Sequence, residues 1–137
     1  MSKKILFFTT SGPIDSQEKV IATTAAFSSW KKWGFDVVLF GEDYHKDLCE
    51  EYDFILNTDV EKEEGLPLIK SIFEQGLAYE GYDCYCYINT DIILLENIQR
   101  YIDAIQEDNF CAVGQRIDVW DLPPINFLTE SYNDILK

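Results

Sequence analysis

Positive charge is what this sequence lacks most. Eleven Lys and Arg stand against twenty-five Asp and Glu, which leaves a formal net charge of −14 and an isoelectric point near 4.2. Holding a nucleic-acid backbone means neutralising phosphates with Lys and Arg, so that class of partner is excluded. An anionic membrane surface repels the chain for the same reason. Histidine is reduced to one residue, His45, and cysteine to four. Cys84 and Cys86 sit one residue apart in a strand-like run, with no second close pair, which is poor zinc spacing. The four read as free thiols of a reducing compartment. Long apolar runs are also missing, since none approaches the ~20 residues that a membrane-crossing helix needs. The apolar start Ile5-Leu6-Phe7-Phe8 is cut short by Thr9-Thr10-Ser11-Gly12-Pro13, and no small-residue cleavage site follows. It does not read as a secretory leader, and the expectation is a soluble cytoplasmic protein. No Gly-x-Gly-x-x-Gly or Walker loop follows the first apolar run, and no Gly-x-Ser-x-Gly elbow is present. Dinucleotide, P-loop and serine-hydrolase chemistry therefore lack their parts.

What is there is an ordinary globular composition. The chain has 137 residues, of which 47% are hydrophobic and 26% charged. This is the size of one domain, and roughly two-thirds of the unfolded surface is buried at this length. Short apolar runs alternate with helical patterns, which predicts βαβ units, a mainly parallel sheet and helices on both faces. Ile5 to Thr10 is continuous and apolar, as in a central strand covered on both sides. A helix follows from near Ser16, with Val20, Phe27 and Trp30 at helical spacing and Gly34 as its cap. Asp36 to Gly41 and Phe54 to Asn57 are the second and third strands. Gly65-Leu66-Pro67 opens another helix with an apolar stripe of Leu66, Ile69, Phe73 and Leu77. Asp83 to Asn89 is the fourth strand, Ile98 to Ile105 a further helix, and Phe110 to Gly114 a fifth strand. After Pro123-Pro124, Leu128 to Leu136 reads as a last short helix.

In open parallel sheets, ligands bind beyond the C-terminal ends of the strands. Thr9, Thr10 and Ser11 follow the first strand, Glu42 and Asp43 the second, Asn89-Thr90-Asp91 the fourth, and Gln115-Arg116-Ile117-Asp118 the fifth. A strand alternates faces, so Asn89 and Asp91 point to one side at the end of the fourth, two oxygen donors facing one crevice. Such donors suit a hard cation such as Mg²⁺ or Mn²⁺, with waters and substrate phosphates completing the shell. An acidic chain accepts an anionic diphosphate only if a cation or local Arg and Lys screen it. The spacing alone leaves a second reading open, in which both residues only hydrogen-bond a turn.

The run Tyr87-Ile88-Asn89-Thr90-Asp91-Ile92-Ile93-Leu94 resembles the Asp-x-Asp region of GT-A-fold glycosyltransferases, with Asn in the first position. Its context, a fourth strand after a helix and Ala112-Val113-Gly114-Gln115-Arg116-Ile117-Asp118 some twenty residues on, is similar to small bacterial and viral members. The resemblance covers roughly Ile5 to Asp118. It implies a single Rossmann-like, nucleotide-sugar-binding domain over 1–137, with 119–137 a short remnant of an acceptor-side segment. It also implies that Thr9, Thr10 and Ser11 line the nucleotide pocket and that Asp43 meets the base or ribose. Asn89 takes the ribose position, Thr90 lies between, and Asp91 binds Mn²⁺ or Mg²⁺ between two phosphates, with Asn89 a weak second ligand. The donor implied is a UDP- or GDP-sugar, and the acceptor is an unknown glycan or other molecule. Asp118, Asp121 and Glu130 are carboxylates in range of an acceptor-side role, and the sequence does not choose among them.

Two cations are weighed as donor contacts. Lys70 falls on the apolar stripe, where it either snorkels, pairs with Glu74 or reaches the crevice. Arg116 follows a strand end and suits a diphosphate, against a surface pair with Asp118 or Asp121. Tyr85, Tyr87, Trp30 and Trp33 read as core, while Trp120, beyond the fifth strand, is open between core and sugar stacking. The acidic stretch from Glu42 to Glu64 reads as a solvated face with Asp43 the exception, and His45, next to Lys46, as a surface residue whose alternative is to orient a ligand near the same strand end. The expectation is a metal-assisted glycosyltransferase or its donor-binding domain. The alternative is a non-catalytic α/β binding module that has lost transfer. A nucleotidyltransferase is disfavoured, because Thr9 to Gly12 contains no Lys or Arg.

Overall fold

The structure, a computed structural model, describes residues 2–95, 97–118 and 121–129. In chain order these form β1 (Ile5–Thr10), α1 (Gln17–Lys32), β2 (Asp36–Phe40), a 3-10 turn (Asp43–His45) and α2 (Lys46–Tyr52). Then come β3 (Ile55–Asn57), a small hairpin of β4 (Lys62–Glu63) and β5 (Leu66–Pro67), α3 (Ile69–Leu77), β6 (Cys84–Tyr87) and α4 (Gln99–Asp103). Four strands make one sheet in the order β3-β2-β1-β6, all parallel. The molecule is thus mixed α/β, an arrangement compatible with a Rossmann-like fold.

The continuous apolar run of β1 has its reason in this order. Ile5 and Phe7 face one side of the sheet with Val37 and Leu39, against Ala26, Phe27 and Trp30 of α1 and Cys49 and Tyr52 of α2. Leu6 and Phe8 face the other with Val38 and Phe40, against Ile72 of α3. A strand covered on both faces has no solvent side on which to place polar residues.

Helix α1 is the spine. Ser16 caps it by accepting the Lys19 N–H at 3.2 Å, and Gly34 ends it at φ +78°, a left-handed position open to glycine. Ala25 to Trp30 are all buried, because α1 is covered by return segments as well as by the sheet. The indoles of Trp30 and Trp33 donate to the carbonyls of Ile92 (2.8 Å) and Leu94 (2.9 Å), and Ser29 Oγ accepts the Leu94 N–H at 3.0 Å. Ser28 Oγ accepts the Phe127 N–H at 3.0 Å, where Ile125 and Phe127 pack on Ala25.

Several sequence expectations are corrected. Phe110 to Gly114 is not a strand; residues 106–118 run as exposed coil, with Val113 and Ile117 each 91% exposed. An apolar run becomes a strand only where a sheet edge and a covering layer receive it. Gly65 to Pro67 belongs to the β4–β5 hairpin, and α3 begins at Ile69. Its expected stripe of Leu66, Ile69, Phe73 and Leu77 is exposed, while Ser71, Ile72 and Gly76 face inward. The backbone at Gly76 approaches the Phe8 ring so closely that a Cβ there would lie 3.2 Å from it. Small residues let the helix sit close, so they and not the bulky stripe mark the buried face. Val20 and Tyr87 are also exposed, and the fourth strand ends at Tyr87. The C-terminal helix expected at Leu128 to Leu136 lies largely outside the described residues, as do Trp120 and Glu130.

Candidate functional site

From β1 the chain lays β2 and β3 to one side, then crosses back to place β6 on the other. The ends of β1 and β6 therefore flank the point where strand order reverses, and open parallel sheets leave a crevice there. A cleft of about 520 Å³ occupies that position. Thr10, Ser11 and Gly12 line it from β1, and Asn89, Thr90 and Asp91 from the segment after β6. The first turns of α1 supply Glu18, Lys19, Ala22 and Thr23.

Asn89 and Asp91 reach the cleft by a different route from strand alternation. Residues 89–92 form a turn closed by the Ile92 N–H donating to the Asn89 carbonyl at 3.2 Å. The turn is held in place from behind, because Trp30 grips the carbonyl of Ile92, the residue next to Asp91. Both Asn89 and Asp91 are exposed at the mouth. Among the described residues, no group of three His, Cys, Asp or Glu comes together that would hold a metal ion. Asn89 and Asp91 offer only oxygen donors, which fits Mg²⁺ or Mn²⁺ in kind but falls short in number.

The remaining residues singled out from sequence lie elsewhere. Thr9 is fully buried and does not line the cleft, and its hydroxyl has no hydrogen-bond partner among the described residues. Asp43 is exposed in the 3-10 turn after β2 and does not line the cleft. Lys70 is exposed on α3, 3.7 Å from Glu74. Arg116 is exposed in the coil, its Nε 3.2 Å from Asp118. Both cations adopt the surface pairing that was the alternative to a donor contact.

The cation that does line the cleft is Lys19, which the sequence reading passed over. Its ammonium lies 2.9 Å from Asp15, and this neighbour holds the Asp15 carboxyl below its ordinary range. The signal was available: Glu18, Lys19, Ala22 and Thr23 recur at helical spacing, on one face of the helix that starts beside the end of β1.

His45 was also misplaced as a surface residue. It is 1% exposed and joins two loops. Its Nδ1 accepts the Glu42 backbone N–H at 3.0 Å, which leaves Nε2–H to donate to the Gly12 carbonyl, also at 3.0 Å. The ring fits because Gly41 has no side chain. His45, Tyr44 and Leu48 thereby form, with Pro13, Ile14 and Asp15, a second hollow of about 270 Å³ behind the β1–α1 loop.

Comparison of the chain with protein-family models, with curated proteins and with solved structures gives no match in any of the three. No helix among the described residues is long and apolar enough to cross a membrane.

Proposed function

We propose that this chain is a glycosyltransferase, or the donor-binding domain of one, that takes a sugar from a nucleotide-diphosphate sugar. The observation that carries the reading is the cleft at the reversal of strand order, where Thr10, Ser11, Asn89, Thr90 and Asp91 meet. In this reading, the hydroxyls and backbone of Thr10 and Ser11 bind the nucleotide, and the Asn89 amide hydrogen-bonds a ribose hydroxyl. The Asp91 carboxylate and the Asn89 carbonyl would hold a divalent cation only together with the donor's own phosphate oxygens. Such an ion supplies Lewis-acid stabilisation of the departing nucleotide. Asp43, on the same edge, contacts the base or ribose only if the ligand extends past the cleft.

A second reading, a non-catalytic binding module, draws support from the donor set, which lacks a third metal ligand among the described residues. Calorimetric titration with UDP, UDP-glucose and GDP-mannose, each with and without Mn²⁺, separates the two. A transferase binds one nucleotide, binds it more tightly with Mn²⁺, loses the Mn²⁺ effect in Asp91→Ala, and hydrolyses the matching sugar nucleotide. Binding without hydrolysis or metal effect favours the module. No binding to any nucleotide overturns both the donor site and the reading built on it.

A further inference from the structure

We propose that Lys19 is the phosphate-receiving residue of the cleft and that Asp15 holds it in reserve, so that an incoming diphosphate displaces a carboxylate from an ammonium already in place. This inference rests on the nucleotide-sugar reading and adds to it the residue that recognises the anion.

Charge makes such a residue necessary. The chain carries a net charge of −14, and the cleft itself is lined by the carboxylates of Glu18 and Asp91. Lys19 is the sole Lys or Arg among the described residues that line it. Lys70 and Arg116 are spent on exposed pairs outside it. Backbone geometry adds to the case. Lys19 lies in the first turn of a sixteen-residue helix, where the helix dipole favours an anion.

The Lys19–Asp15 contact is short, at 2.9 Å, but both side chains are more than half exposed. An exposed ion pair biases the ammonium only about twofold toward its partner. A doubly charged phosphate group makes a stronger charge-assisted contact with the same ammonium. Exchange therefore runs toward the ligand. The pair keeps the ammonium folded against the loop at Pro13, whose carbonyl lies 3.5 Å away. The segment that Lys19 must leave is the one His45 braces through Gly12, so the loop stays in place while the side chain swings.

The test is calorimetric titration of UDP, UMP and inorganic pyrophosphate into the wild type, Lys19→Gln, Lys19→Arg and Asp15→Asn. Lys19→Gln should weaken UDP about tenfold and UMP less, as expected for one charge-assisted contact. Lys19→Arg should retain most of the affinity, and Asp15→Asn should tighten UDP about twofold by freeing the ammonium. UDP affinity unchanged in Lys19→Gln overturns the role of Lys19 while leaving the nucleotide site standing. UDP weakened by Asp15→Asn overturns the reserve role of Asp15. Pyrophosphate that binds as tightly as UDP and responds equally to Lys19→Gln keeps Lys19 as an anion receiver but removes the nucleotide reading. A wild type that binds none of the three overturns both. Circular dichroism of each variant checks that the fold is retained, which the exposure of both side chains favours.

Discussion

Gly41, just past β2, is the position where one added methyl group should do most damage. A Cβ built there would lie 2.5 Å from Nδ1 of His45 and 3.0 Å from Cε1, closer than carbon and nitrogen atoms tolerate. The ring cannot step aside cheaply. It is 1% exposed, and both its nitrogens are engaged, with Glu42 N–H and the Gly12 carbonyl. Gly41→Ala must therefore strain the ring, the strand end or both. Overpacking of this kind costs about 1–3 kcal/mol. Losing one of the two imidazole hydrogen bonds adds about 1 kcal/mol. Backbone conformation contributes little, because Gly41 is not among the glycines with positive φ. The sum, about 2–4 kcal/mol, is a large part of the ~5–15 kcal/mol that stabilises a typical domain. Urea unfolding should show the midpoint falling with an unchanged slope, and thermal unfolding a Tm lower by roughly 10 °C at this chain length. The double variant Gly41→Ala/His45→Ser should be less destabilised than the sum of the two single variants, because the clash needs both partners. A Gly41→Ala protein within 0.5 kcal/mol of wild type would refute the steric reasoning, and strict additivity would refute the pairing.

Three further outcomes are expected. Thr9→Val removes a buried hydroxyl that has no partner and should leave stability unchanged or raise it by about 1 kcal/mol; a loss of that size in urea unfolding would mean the hydroxyl is satisfied after all. With Ellman's reagent at pH 8, exposed Cys111 should react first, while Cys49 and Cys86, whose thiols burial pushes up to about 11, hold about a thousandth of their population as thiolate and should react only on unfolding. The backbone N–H of Lys3 and the side chain of Gln99 keep the Asp103 carboxyl below its ordinary 3.8, so its stabilisation is present above that value and is lost as pH falls through the lower folded one. Asp103→Asn should flatten the acid limb of the stability profile, lower the neutral plateau and leave the slope near neutrality unchanged.

What the sequence made legible is what local pattern encodes. The parallel strands are visible as apolar runs too continuous for one-sided burial, and Ser16 and Gly34 bracket α1 by their chemistry. Ser11, Asn89 and Asp91 come together because strand ends in a parallel sheet share an edge, which chain order alone implies. The rest depends on what lies across space. Ile69, Phe73 and Leu77 have helical spacing whether or not anything covers them, and Gly76 with Ser71 decided the packed face. Val113 sits in a strand-like run that found no edge. Lys70 drew notice as a charge on an apolar stripe and Arg116 as a cation after an expected strand end, whereas Lys19 carried neither signal, and only the start of α1 beside the end of β1 brings it to the cleft. His45 looked solvated because its neighbours in sequence are charged, yet its partners Gly12 and Glu42 are backbone groups that no pattern of side chains reveals.

The indole anchors on Ile92 and Leu94 have a mechanical consequence. One wall of the cleft is α1 itself, and the opposite wall, the turn at 89–92, is fastened to that same helix. The gauge of the slot is thus set within a single beam and its two rivets, with Ile125 and Phe127 packed on the same beam from behind. The exposed coil at 106–118 bears on neither wall. Insertions in that coil should leave the slot as it is, which makes it the natural place to attach a reporter.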